Sequence, residues 1–75
     1  MISYKPFWEM MQKKEISGYA LINTYGLCKS EVNRLKHDHN FNIYFIDYLC
    51  TLFDCDIQDI VIHVQTYNLP NDKNN

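Results

Sequence analysis

The sequence predicts an all-α domain: five short helices packed around one small core. Three observations predict it. Apolar residues recur at helical spacing in five successive segments. Residues that start or stop helices stand between those segments. The chain has 75 residues, 47% of them hydrophobic, with four Phe, six Tyr and one Trp. That length allows one core, and the aromatics bury enough area per residue to stabilise it without staples.

Pro6 suits the first turn of a helix, where its missing amide hydrogen costs nothing. Phe7, Trp8, Met10, Met11 and Lys14 continue at helical spacing, so the first helix runs from about Pro6 to Lys14. Ile16 is an apolar anchor in the connection. Ser17 reads as the N-cap of a second helix, Gly18 to Thr24, because its hydroxyl can accept from a first-turn amide. Leu21, Ile22 and Tyr25 share one face before Gly26. Gly26 stands where a chain leaving a helix sharply needs positive φ, which glycine adopts at little cost.

A third helix runs from Lys29 to about His37, buries Val32 and Leu35, and ends in His37-Asp38-His39-Asn40. Asn42 caps a fourth, to about Asp54, whose Ile46, Leu49, Cys50 and Phe53 follow i, i+3, i+4, i+7. Asp56 opens a fifth, with Asp59 three residues on as in a capping box and Ile57, Ile60, Val61 and Val64 as its inner stripe. Ile60-Val61-Ile62 is also β-branched enough to be a strand. The expected domain is 3–66, and 67–75 reads as a polar, disordered tail.

The net charge of −2 is segregated. Residues 1–36 carry six Lys and Arg against three Glu, and residues 37–75 carry Lys73 against six Asp. The cationic half contains the two helices that meet at Gly26. Two helices joined by so tight a turn form a helix-turn-helix, which lays its second helix in the DNA major groove. A cationic face orients such a unit towards phosphate.

On that reading the exposed residues of the third helix, Lys29, Ser30, Asn33 and Arg34, are the candidates to touch base edges. Arg pairs bidentately with guanine, Asn with adenine, and Lys serves guanine or a phosphate. Gly18, Asn42 and Tyr44 lie at helix starts, where free amides and the helix dipole favour phosphate, and Lys36 can clamp another. About four neutralised phosphates give a slope of log K against log salt near −3.6. On the fourth helix, Tyr44, Phe45 and Tyr48 cannot all be buried beside Ile46, Leu49 and Phe53. They form a candidate surface for a second copy of the chain or another protein.

Other chemistries lack their residues. Cys28, Cys50 and Cys55 are odd in number and without C-x-x-C spacing, which fits a reducing, cytoplasmic setting. His37, His39 and His63 read as solvated side chains, so no metal and no cofactor is expected. No Ser or Cys stands with a His in a nucleophile motif, so no enzymatic activity is expected. There is no signal-peptide pattern and no apolar run of about 18 residues to span a membrane.

With these residues in view, the chain resembles the lambda-repressor-like (Cro-type, XRE family) helix-turn-helix DNA-binding domains, especially small single-domain bacterial regulators. The resemblance covers about 3–64. It rests on Ser3-Tyr4-Lys5-Pro6-Phe7-Trp8-Glu9, on Tyr19-Ala20-Leu21-Ile22-Asn23 leading to Tyr25-Gly26, and on Val32-Asn33-Arg34-Leu35. Downstream, Ile46-Asp47, Leu49-Cys50 and Asp54-Cys55-Asp56-Ile57-Gln58-Asp59-Ile60 match as well. It implies a five-helix domain that binds double-stranded operator DNA through its third helix, represses or tunes transcription, and often dimerises on a palindromic site. Lys29, Ser30, Asn33 and Arg34 would read the bases. Three positions depart from the pattern. Gly18 replaces a common lysine or polar residue, and Tyr48 a common basic one. Cys28 replaces the usual Ser or Thr cap, at an expected cost of about 1 kcal/mol.

Overall fold

The computed structural model describes residues 1–65; Thr66 and the predicted tail 67–75 lie outside them. The element order is β1 (Ile2–Ser3), α1 (Lys5–Lys13), α2 (Gly18–Asn23), α3 (Lys29–Lys36), α4 (Ile43–Phe53), a 3-10 turn (Ile57–Asp59) and β2 (Ile62–His63). The four helices fall within about a residue of their predicted bounds. Local signals set them: Ser17 Oγ accepts from the Ala20 amide at 3.1 Å, and Asn42 Oδ1 from the Phe45 amide at 2.9 Å.

The predicted fifth helix is absent. Asp59 Oδ2 does accept from the Asp56 amide at 3.1 Å, but the turn it closes is a single 3-10 turn. The chain then extends into β2, which pairs antiparallel with β1 in the register Ile2↔His63 and Ser3↔Ile62. The Met1 carbonyl accepts from the Val64 amide at 2.7 Å, and the Met1 ammonium donates to the Val64 carbonyl at 2.8 Å. Of the β-branched run Ile60-Val61-Ile62 only Ile62 enters the strand; the Ile60 and Val61 amides both donate to the Ile57 carbonyl at 3.0 Å and close the 3-10 turn. Among the described residues the fold is therefore four α-helices, one 3-10 turn and a two-stranded ribbon.

Each helix contributes buried side chains to one core. These are Phe7 and Met11 from α1, Leu21 from α2, Val32 and Leu35 from α3, and Ile46, Leu49 and Phe53 from α4. Tyr4, Leu27 and Ile60 close it from the connections. Among the described residues no polar or charged residue is fully buried. Phe7 packs edge-on against Trp8 and Phe53, with centroids 5.1 and 5.9 Å away. Trp8 Nε1 donates to the Leu35 carbonyl at 3.2 Å, fixing α1 against the end of α3.

Gly26 has φ +80°, the left-handed value expected of it, and the Leu27 amide returns to the Leu21 carbonyl at 3.0 Å. The other helix ends use the same backbone region without glycine. Glu15, Asp38 and Asp54 have φ of 57°, 56° and 51°. After each, the next amide reaches back five residues: Ile16 to Met11 at 2.9 Å, His39 to Arg34 at 2.9 Å and Cys55 to Cys50 at 3.0 Å. Three helices thus end in Schellman closures. Asp38 has a second role, because its Oδ1 accepts from the Tyr4 amide at 2.9 Å and ties the end of α3 to the start of α1.

Candidate nucleic-acid interface

α3 is short, polar on its outer side and anchored on its inner side by Val32 and Leu35, which are 4% and 0% exposed. Its start is better capped than the cysteine predicts. Glu31 Oε1 accepts from the Cys28 amide at 2.9 Å, the reciprocal half of a capping box. Cys28 Sγ lies 3.3 Å from Ser30 Oγ. The sequence signal was the glutamate three residues after the cap, which the cysteine concealed. An acidic first turn and basic last turn, Glu31 against Arg34 and Lys36, also suit the helix dipole.

Between α2 and α3 lies an open groove of about 660 Å³ lined mainly by apolar surface. Lys29, Ser30 and Asn33 line it together with Gly18 and Lys36, so five of the predicted contact residues share one hollow. Tyr19, Ile22 and Val32 complete the lining. Tyr19 is 76% exposed at the start of α2. The sequence carries no site signal for it, because Tyr19 stands off the Leu21, Ile22 and Tyr25 face and has no charge. Lys36 Nζ lies 3.9 Å from where a Cβ at Gly18 would stand, which places a cation over the start of α2.

Arg34 is elsewhere. Its guanidinium lies 4.4 Å from the centroid of the Phe41 ring and donates from Nη2 to the Asn40 carbonyl. Phe41 in turn packs edge-on to Tyr4 at 5.8 Å and stacks on Phe45 at 4.3 Å. Burial, its largest influence, pushes the Tyr4 phenol above its ordinary range, and the nearby Arg34 opposes the shift. His37 Nδ1 is 2.9 Å from the Asn33 carbonyl, and the His37 and His39 rings lie edge-on at 6.2 Å.

Asn42 and Tyr44 sit at the start of α4, outside the groove. Asn42 caps the Phe45 amide, and the first-turn amides of Ile43 and Tyr44 have no helical carbonyl to bond. Of the aromatic trio, Phe45 is half-buried on Phe41, whereas Tyr44 and Tyr48 are 80% and 47% exposed. Ile43, 63% exposed, adjoins them in sequence.

Cys28 is exposed and Cys50 and Cys55 are half-buried, all as free thiols. Burial is the main cause that raises the Cys50 and Cys55 thiols above their ordinary range. Among the described residues no three His, Cys, Asp or Glu gather where a metal could be held, and no helix is long and apolar enough to cross a membrane.

Searches of curated proteins and of solved structures give no significant match. The sequence matches the Cro/C1-type HTH DNA-binding domain over residues 7–66, from the start of α1 past β2. That span takes in α2, the Gly26 turn, α3 and the groove between the helices. The chain therefore belongs to the family of Cro/C1-type helix-turn-helix DNA-binding domains.

Proposed function

We propose that the domain is a sequence-specific DNA-binding transcriptional regulator that sets α3 in the major groove. The carrying observation is the convergence of Lys29, Ser30, Asn33, Lys36 and Gly18 on the α2–α3 groove. Lys29, Ser30 and Asn33 contact base edges, Asn33 through an adenine. Lys36 and the backbone at Gly18 hold one phosphate, and the start of α4 at Asn42 and Tyr44 holds another. Arg34 adds a guanine contact after exchanging Phe41 and Asn40 for the base. Its stacked position favours a role at the edge of the interface.

Two copies on a palindromic site match a two-fold pairing through the exposed Tyr44 and Tyr48. Selection from a random duplex pool at low salt tests the reading. The expected result is one enriched motif whose binding falls with salt at a slope near −3.6, for about four phosphates. A pool that returns no motif removes it.

A second reading rests on the same exposed tyrosines. The domain keeps the family fold and acts on another regulator through α4. A heteromeric complex lost in Tyr48→Asp, with helicity unchanged by circular dichroism, supports that reading. A partner still held by the variant excludes this surface.

A further inference from the structure

The α2–α3 groove is more apolar than phosphate contact requires. Ile22 and Val32 line it beside the exposed Tyr19, and Asn33 stands on the α3 side. In a major groove, adenine offers N6 and N7 to an asparagine amide, and its partner thymine is the one base that presents a methyl. We propose that this groove reads an A·T-containing step by receiving the thymine C5-methyl against Tyr19, Ile22 and Val32. Asn33 bonds the adenine edge, and Lys36 holds a flanking phosphate. The inference deepens the proposed function and rests on α3 entering the major groove.

Residue 18 keeps the groove open. A Cβ there would meet Val32 Cγ1 at 3.8 Å and Lys36 Nζ at 3.9 Å, both ordinary contacts. A Cβ at this position is therefore accepted without strain, on the lining of the hollow. The exposed Tyr19 can likewise be shortened without opening the core. Two variants thus alter the groove while leaving the buried residues in place: Gly18→Leu fills it and Tyr19→Ala removes a wall.

The test replaces each thymine of a selected duplex, one at a time, with deoxyuridine, which lacks the methyl and keeps the hydrogen-bonding edge. Binding is measured by fluorescence anisotropy for the wild-type chain and both variants. One position is expected to lose about fourfold in affinity on methyl removal, the worth of one buried methyl. In both Gly18→Leu and Tyr19→Ala the ratio of thymine to deoxyuridine affinity should fall towards one, with helicity retained by circular dichroism. Deoxyuridine tolerated at every position overturns the methyl pocket while leaving DNA binding intact. An unchanged ratio in both variants places methyl reading outside this groove and also overturns it. Failure to bind any duplex removes the underlying reading of α3, a result distinct from the other two.

Discussion

Replacing the three non-glycine residues that end helices with glycine should give opposite results at different positions. Glu15, Asp38 and Asp54 all sit at left-handed φ, between 51° and 57°. That conformation costs an L-residue about 1–2 kcal/mol, and glycine gives back about 0.5–1 kcal/mol of it through its freer unfolded chain. Each side chain also puts a negative charge at the negative end of a helix dipole, so removing it helps slightly. Glu15→Gly should therefore stabilise by about 0.5–1 kcal/mol, and Asp54→Gly by somewhat less, because aspartate tolerates this region better. For a domain of this size that raises Tm by about 2–8 °C.

Asp38→Gly gains the same backbone relief but loses the acceptor 2.9 Å from the part-buried Tyr4 amide. Leaving that amide unsatisfied costs about 1–3 kcal/mol, which exceeds the gain. The net is destabilisation of about 1–2 kcal/mol, and Asp38→Asn, which keeps an acceptor oxygen, should stay near wild type. Urea unfolding followed by Trp8 fluorescence and circular dichroism reads all four variants. If Asp38→Gly stabilises as much as Glu15→Gly, the Tyr4–Asp38 bond contributes nothing. If Glu15→Gly destabilises, the strain at the end of α1 is not what the backbone implies.

Three further outcomes test the interface. Lys36→Ala should weaken binding about equally for all duplexes and lower the magnitude of the salt slope by about 0.9 for each bound copy, one phosphate's share, in anisotropy titrations. Arg34→Ala should weaken binding in a sequence-dependent way if the guanidinium moves to a base; a uniform loss in a panel of operator variants would assign it to holding the 40–41 segment alone. Iodoacetamide should label exposed Cys28 first. Cys50 and Cys55, half-buried with thiols raised by burial, should react slowly at neutral pH and gain speed only as pH rises into the alkaline range. Bound duplex should protect Cys28, which mass spectrometry of the labelled chain reads directly.

The four helices were legible because each is specified locally: Ser17 and Asn42 cap their own first turns, and Gly26 sets its own φ. The last segment was not, because its partner lies 63 residues away. Ile57, Ile60, Val61 and Val64 fit a helical stripe as well as they fit a turn followed by a strand. The pairing of Ile62, His63 and Val64 with the first three residues decides between them. Even so, Asp56-x-x-Asp59 correctly marked where a turn begins.

The candidate site was legible as a set of residues and less so as a surface. At about 100° per residue, Lys29, Asn33 and Lys36 fall within about 60° of one another, whereas Arg34 lies about 100° beyond Asn33. The exposed residues of α3 thus point in two directions. The first group turns towards α2 and the groove, and Arg34 turns towards Phe41. Asp38, at left-handed φ, ends α3 by returning the His39 amide to the Arg34 carbonyl at 2.9 Å, and the 40–41 segment that holds the Arg34 guanidinium follows directly. The division of labour proposed along α3, bases and phosphates on the groove side and Arg34 at the margin, thus follows from the helix end as much as from the helix. A change at Asp38 should accordingly alter Arg34's contribution to binding while leaving that of Asn33 in place, which a double-mutant cycle between Asp38 and each of the two would measure.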